Sequence, residues 1–263
     1  MITNFKRVDG ANEHGSLFQW NYNGSPISAF WPSEFADVVP DLDRSATGLN
    51  NGLLAAGNAI AVQADRLKKT DEIHDVAREL IARFIAPAFR YFRDQAIVER
   101  DSVGMARNSL RQPIELASPT PYAIAADSLQ RQEIRRMLDK FDQIGEAFDW
   151  VMKSNGIAVL NAICPVIDQT IFAKDKQLAD LLVDEFAVRK TARLIDNPSN
   201  DNQATAAQPM KNKMSDDVIR DLAKARVGGL KVRDEAVGYA EKLLVSVIAF
   251  TSQAGNFTSD EAF

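Results

Sequence analysis

The chain has little cysteine and little histidine. A single cysteine among 263 residues, Cys164, excludes an internal disulfide framework. We expect Cys164 to be buried, because it lies in an apolar run without a neighbouring cation. The two histidines, His14 and His74, are too few for a His-rich metal centre, and the charged neighbours of His74 favour a surface imidazole. The sequence therefore predicts no metal site and no cofactor.

Long uninterrupted apolar runs are also missing. The best candidates, residues 157–167 and 243–250, are shorter than the roughly 18–20 residues that a transmembrane helix needs. The first ten residues, MITNFKRVDG, lack the basic-then-apolar order of a signal peptide. We therefore expect no transmembrane segment and no secretion by a signal peptide. The expected location is a virion or the cytoplasm of a bacterial host cell, and membrane contact stays open.

Neither sign of charge dominates the chain. It has 31 Lys and Arg against 36 Asp and Glu, a net charge of −5, which argues against strong nucleic-acid binding through a basic surface. A local basic cluster is still a candidate for weak phosphate contact. Its members are Arg131, Arg135, Arg136 and Lys140.

Motifs of catalysis and nucleotide binding are absent from the sequence. There is no Walker-type loop, dinucleotide-binding glycine motif, Gly-x-Ser-x-Gly elbow or zinc-knuckle spacing. A row of acids at three- and four-residue spacing is interpreted as the solvated face of a helix. These acids are Asp139, Asp142, Glu146 and Asp149. We predict no catalytic residue.

The first 48 residues are rich in aromatics, glycine and asparagine. Apolar and polar side chains alternate in residues 17–22, a turn is expected at 23–26, and residues 27–31 form a second apolar run. This pattern predicts a β-hairpin or extended arm. An isolated hairpin is marginal in water, so its aromatics must pack on this chain's helices or on a neighbouring subunit. The candidate docking residues are Phe18, Trp20, Tyr22, Phe30 and Trp31 of the arm and Phe263 of the tail.

From residue 49 onward the apolar residues recur with helical period. Thr70 or Asp71 is a candidate N-cap of a new helix. Alternatively, the helices on the two sides of these residues run on as one long rod. Pro87 and Pro165 predict kinks or breaks. Residues 134–151 have the most regular apolar stripe, which we call the seam. A helix end is expected at 153–156. A short helix is expected to begin after Ser215 and to end at Gly228-Gly229.

These patterns predict an all-α fold. Long, kinked amphipathic helices pack as a bundle with an antiparallel helical hairpin, and an extended arm or β-hairpin precedes them. The predicted segments are an aromatic arm at 1–48, the main bundle at 49–196, a polar linker at 197–213, and a C-terminal helical pair with its tail at 214–263.

Helical cores flanked by an arm, a linker and a tail suggest a protein that engages neighbours. We expect a non-enzymatic structural subunit of a large assembly, with copies of itself and other subunits as partners. By analogy, the most concrete version is a tailed-phage virion component: a connector, neck, minor capsid or internal ejection protein. Two alternatives stay open, a helical adaptor or regulator with weak nucleic-acid contact and a helical enzyme or ligand-binding module.

Overall fold

The structure is a computed structural model, and it describes residues 2–9, 15–22, 25–67, 69–116, 119–154, 157–196 and 214–256. Packed helices make up most of this part of the chain, and a small antiparallel sheet lies at its N-terminal end. The predicted fold class, all-α with an N-terminal hairpin, is confirmed. The predicted linker at 197–213 and the tail residue Phe263 lie outside the described residues.

The sheet has three antiparallel strands in the order β1-β2-β3. They are β1 (Ile2–Asp9), β2 (Gly15–Tyr22) and β3 (Ser25–Pro32). The predicted hairpin corresponds to β2 and β3, where Trp20 pairs with Ile27. Strand β1 was not predicted from the sequence, because Ile2, Phe5 and Val8 follow a three-residue step instead of the alternation typical of a strand.

Helix begins well before residue 49, so the predicted start is wrong. A short helix, α1 (Phe35–Val38), precedes the long helix α2 (Pro40–Ala64). Pro40 occupies the first helical position, where its missing N–H removes no internal hydrogen bond. The acids Asp41 and Asp43 follow in the first turn, where they interact favourably with the helix dipole.

Two separate helices, α2 and α3 (Thr70–Leu80), replace the alternative of one continuous rod. Lys69 is the N-cap of α3 and makes no side-chain cap bond, so the predicted caps Thr70 and Asp71 are wrong. A π-helical turn, Ile81–Ile85, then leads into α4 (Ala86–Arg111). This irregularity lies immediately before Pro87, as the missing N–H of proline predicts.

The predicted seam at 134–151 is not one helix. It divides into α5 (Pro121–Leu138) and α6 (Ile144–Lys153), with a turn between them. Apolar spacing of three and four residues is preserved across this turn, which is why periodicity alone did not show the break. Helix α6 ends at Lys153, as predicted, and residues 155–156 lie outside the described part.

Pro165 breaks the next helical stretch, as predicted. Helix α7 (Ile157–Ile163) ends before it, and the 3-10 segments Cys164–Gln169 and Ile171–Lys174 follow. Helix α8 (Lys176–Ile195) then begins with Asp175 as its N-cap, whose carboxylate accepts from two backbone N–H groups.

The last helix, α9 (Asp216–Gly255), runs through Gly228-Gly229 without a break. The predicted stop at these glycines, and with it the C-terminal helical pair, is wrong. Each glycine weakens a helix by about 1 kcal/mol, but buried residues on both sides hold this helix in place. Val227 precedes the glycines in one apolar cluster, and Ala236 follows them in another. Ser215 accepts a hydrogen bond from the N–H of Val218, as expected of a cap.

The chain divides into two compact units that cut across the predicted segments. Unit 1 comprises residues 1–103 and 231–263, and unit 2 comprises residues 104–230. The boundary therefore falls inside α4 and inside α9. The N-terminal strands and the end of the last helix, which are far apart in sequence, belong to the same unit.

The core of unit 1 is aromatic. Trp20 of β2 makes an edge-to-face contact with Phe250 of α9, at 5.3 Å between ring centroids. Trp31 of β3 contacts Phe35 and Phe92 in the same manner, at 5.2 and 5.8 Å. These rings lie in one apolar cluster with residues of α2, α3, α4 and α9. The N-terminal sheet therefore packs against the helices that follow it in the chain and against the last helix.

Unit 2 is held by an apolar core and by long cationic side chains that bind backbone carbonyls. Arg189 donates to Glu185 at 2.7 Å and to the carbonyl of Ser154 at 2.9 Å. Lys190 donates to the carbonyls of Ser109 and Gln112, at 2.6 and 2.9 Å, near the C-terminal end of α4. A cation at a helix C-terminus is favourable because the helix dipole is negative there.

Gly52 allows α2 to approach the π-helical turn closely. A Cβ at this position would lie 2.5 Å from the carbonyl oxygen of Phe84, whereas a Cβ at Gly48 of the same helix would meet nothing within 4 Å. We predict that Gly52→Ala lowers the free energy of unfolding by about 1–3 kcal/mol through overpacking. The control Gly48→Ala raises it by about 0.5–1 kcal/mol through helix propensity.

Urea unfolding followed by circular dichroism measures both variants. Equal effects of the two substitutions would contradict the close approach of α2 to the π-helical turn.

Candidate functional site

The candidate site is the outward side of α5 in unit 2. The helix begins where the sequence favours it, because Pro121 occupies the first helical position and Thr120 is the N-cap. The Thr120 hydroxyl accepts a hydrogen bond from the N–H of Ala123 at 3.2 Å. This cap satisfies one of the backbone N–H groups that lack a partner in the first turn, and it fixes where the helix begins.

The second half of α5 attaches the helix to the core of unit 2. Ile134 and Leu138 are its buried residues, and they lie in one cluster with Val151, Leu160 and Phe186. Residues four apart share a helix face. The rotation of α5 about its own axis is therefore set by Ile134 and Leu138.

This rotation turns charged residues inward in the first half of α5. Asp127 and Arg131 lie on the same face as Ile134 and Leu138, and they form an ion pair with side chains only 24% and 20% exposed. The Nε of Arg131 is buried and has no hydrogen-bond partner among the described residues. A partly buried ion pair with an unsatisfied donor contributes little net stability.

Apolar residues point outward on the opposite face. Tyr122 is 85% exposed and Leu129 is 61% exposed. They are seven positions apart, which places them two turns apart on one side of the helix. Ala125 and Ala126 lie between them and are also exposed. We call Tyr122, Ala125, Ala126 and Leu129 the outer face of α5.

The first half of α5 thus has its polarity inverted. A surface helix of a globular protein normally turns its apolar stripe to the core and its charges to water. Here the ion pair faces the unit and the aromatic and aliphatic side chains face solvent. Contiguous exposed apolar side chains mark interaction surfaces. This face was not predicted from the sequence, although its signal was present as apolar residues at 122, 125, 126 and 129 beside charges at 127 and 131.

A second exposed apolar stripe begins just before α9 and continues through its first two turns. Met214, Val218 and Leu222 are exposed at four-residue steps. Ile219 and Ala223 lie on the other side of the helix and are buried in unit 2. This stripe follows directly after the predicted linker.

The predicted phosphate-contact cluster is not a set of four free cations. Arg131 pairs with Asp127, and the Nε of Arg135 donates to the carbonyl of Ala162 at 2.9 Å. Arg136 and Lys140 are exposed. Two of the four side chains are therefore engaged within the chain, and two face solvent.

The aromatic docking candidates have different environments. Trp20 and Trp31 are buried in the core of unit 1, which matches the intramolecular alternative for these two residues. Trp31 also donates from Nε1 to Asp43 at 2.8 Å, and Phe30 makes an edge-to-face contact with Tyr239 at 6.3 Å between ring centroids. The side chains of Phe18 and Tyr22, and the whole of Phe263, lie outside the described residues, so their docking role stays a prediction.

His74 is not a free surface imidazole. Its side chain is half-buried, and Nδ1–H donates to the carbonyl of Ala254 at 2.9 Å. Arg78, one turn further along α3, donates from Nε to the carbonyl of Gly255 at 2.7 Å. Both residues thus bind carbonyls at the end of α9, where Asn256 has a left-handed φ of 52°.

Two other sequence predictions can be located in the structure. The acids Asp139, Asp142, Glu146 and Asp149 are all exposed, as expected of a solvated face. Cys164 is buried, as predicted, and its Sγ lies 3.5 Å from the carbonyl oxygen of Leu182. Burial raises the pKa of the Cys164 thiol from its ordinary 9.0 to about 12.

Comparisons of the chain with protein-family models, curated proteins and solved structures found no match. Within the described ranges, no group of three or more His, Cys, Asp or Glu side chains is placed to hold a metal ion. No described helix is long and apolar enough to cross a membrane. Among the described residues, the outer face of α5 is the best candidate for a functional surface.

Cys164 provides a test of the packing of unit 2. Because its pKa is raised, the folded chain favours the neutral thiol. The stabilising contribution of Cys164 is therefore fully present below pH 9 and is lost as the pH rises from about 9 towards 12. We predict that iodoacetamide alkylates Cys164 at pH 8 at least about tenfold more slowly in the folded chain than in urea, because the thiolate is the nucleophile. Mass spectrometry measures both rates, and equal rates would contradict the buried position.

Proposed function

We propose that this chain is a non-enzymatic structural subunit of a larger assembly and that unit 2 binds a partner through the outer face of α5. The observation that carries the proposal is the inverted polarity of this helix. Tyr122 and Leu129 face solvent, while Asp127 and Arg131 face the unit. A protein partner that covers the outer face restores the burial that an amphipathic helix normally obtains from its own fold.

The free energy available from burying the outer face of α5 supports a protein partner. Fully burying one large apolar side chain is worth about 1.5–3 kcal/mol. Tyr122 offers a broad ring together with a hydroxyl, a combination enriched at the energetic centres of interfaces. Ala125 and Ala126 are small, so the backbone of a partner can approach between Tyr122 and Leu129. A helix or a flat apolar surface fits this face better than a small molecule, which favours a concave site.

The narrower form of the proposal is a component of a tailed-phage virion. It rests on analogy with subunits that surround a helical core with arms, linkers and tails. In this form the chain resides in the virion, or in the cytoplasm of the bacterial host before assembly. The mass and composition of the native particle that contains the chain test this form directly.

We predict that the double substitution Tyr122→Ser and Leu129→Ser removes the chain from its native complex without unfolding it. Both side chains are exposed, so each change alters the free energy of unfolding by about 0.5 kcal/mol or less. The control is Val62→Ser with Val245→Ser, which changes two exposed apolar residues of unit 1. The measurement is sedimentation of the tagged full-length chain in extracts of its native source.

The wild-type chain and the control are expected in the fast-sedimenting fraction, and the Tyr122/Leu129 variant in the slow fraction. A variant that sediments with the complex as the wild type does would refute the role of α5. A wild-type chain found only as a single free subunit would refute the proposed function as a whole.

A further inference from the structure

We propose that the partner covering the outer face of α5 is a second copy of this chain, with the two α5 helices antiparallel and Leu129 against Leu129 of the second copy. This inference rests on the proposed function, because it names the occupant of the same face. It is motivated by the arrangement of Tyr122, Leu129 and Arg136, which is self-complementary about its centre.

These three residues lie on one line along the helix. Tyr122 precedes Leu129 by seven residues and Arg136 follows it by seven, so each is two turns from the centre. All three side chains are exposed. At 1.5 Å per residue, Tyr122 and Arg136 each lie about 10 Å from Leu129 along the axis. A two-fold axis through Leu129 therefore places Tyr122 opposite Arg136 of the second copy, and the reverse contact forms at the other end.

The chemistry of these contacts selects the antiparallel direction. In an antiparallel pair, each guanidinium of Arg136 meets a tyrosine ring, a cation–π contact worth about 0.5–1 kcal/mol at exposed sites. In a parallel pair in the same register, Arg136 would face Arg136 and Glu133 would face Glu133. Both of those contacts join like charges and are unfavourable. The same exposed residues thus attract in one direction and repel in the other.

The small residues of the outer face permit close packing. The axis through Leu129 brings Ala125 opposite Glu133 of the second copy and Ala126 opposite Gln132. Glu133 and Gln132 are both exposed. Their methylene groups can cover the alanines while their polar ends stay in water. Packed helix axes lie about 8–10 Å apart, and alanine allows the shorter end of that range.

The expected dimer is weak. This contact engages fewer than the roughly 20–30 residues a side of a standard interface, so we expect a dissociation constant in the micromolar range. A two-fold contact is closed and by itself stops at two copies. An assembly larger than a dimer therefore needs a further surface besides α5.

Charge-swapped variants test the position of Leu129 on the axis. Leu129→Lys and Leu129→Glu are each expected to weaken dimerisation of the full-length chain at least about tenfold, since each places two like charges at the centre. Mixing the two variants is expected to restore dimers, because Lys then faces Glu. The control pair is Val245→Lys and Val245→Glu, which change an exposed residue of α9 in unit 1 and are each expected to dimerise as the wild type does. Sedimentation equilibrium measures all of these species.

Cysteine cross-linking tests the direction of the helices. A mixture of Tyr122→Cys and Arg136→Cys is expected to form a disulfide between the two variants under mild oxidation. Leu129→Cys is expected to cross-link to itself. The native Cys164 does not compete, because it is buried. Cross-linking of Tyr122→Cys to itself without the mixed product would overturn the antiparallel arrangement.

The outcomes separate this inference from the proposed function. A wild-type chain that stays monomeric at high micromolar concentration, or a dimer unaffected by Leu129→Lys, overturns the second-copy inference. If the Tyr122/Leu129 variant still leaves the native complex in that case, the proposed function stands and another protein covers α5. If the wild-type chain is monomeric in solution and also in native extracts, both fail.

Discussion

A helix can bury only the side that its neighbours cover, and in α5 that side is chosen by Ile134 and Leu138. Their place in the core of unit 2 sets the rotation of the whole helix. Through the rigid helical backbone, this rotation turns Asp127 and Arg131 inward and Tyr122 and Leu129 outward. The exposed apolar surface of the first half of α5 is thus a consequence of core packing in its second half.

Much of the fold could be predicted from local chemistry. The alternation in β2, the missing N–H groups of Pro87 and Pro165, and the helical periodicity after residue 49 all correspond to observed features. The errors arose where tertiary packing overrides local preference. Gly228-Gly229 favours a helix end, yet buried residues on both sides keep α9 continuous, and the turn between α5 and α6 preserves the apolar spacing of a single helix.

The candidate site was harder to predict than the fold. An aromatic residue in a strand has the same sequence signature whether its own chain or another covers it, and Trp20 and Trp31 are covered by their own chain. The outer face of α5 requires knowing which side of the helix is buried, and the apolar positions alone admit two rotations. The basic cluster was overestimated for a related reason, because the sequence did not show that Arg131 and Arg135 bind groups within unit 2.

The central claim is that a protein covers the outer face of α5, and hydroxyl-radical footprinting of tyrosines tests it most directly. Tyr122 is 85% exposed and Tyr91 of α4 is 58% exposed, so both should react in dilute protein. In the native complex we predict that Tyr122 loses most of its reactivity. If the partner is a second copy, Tyr122 also loses it in concentrated protein, while Tyr91 keeps its own. Equal reactivity of Tyr122 in dilute solution, in concentrated solution and in the native complex would contradict the account.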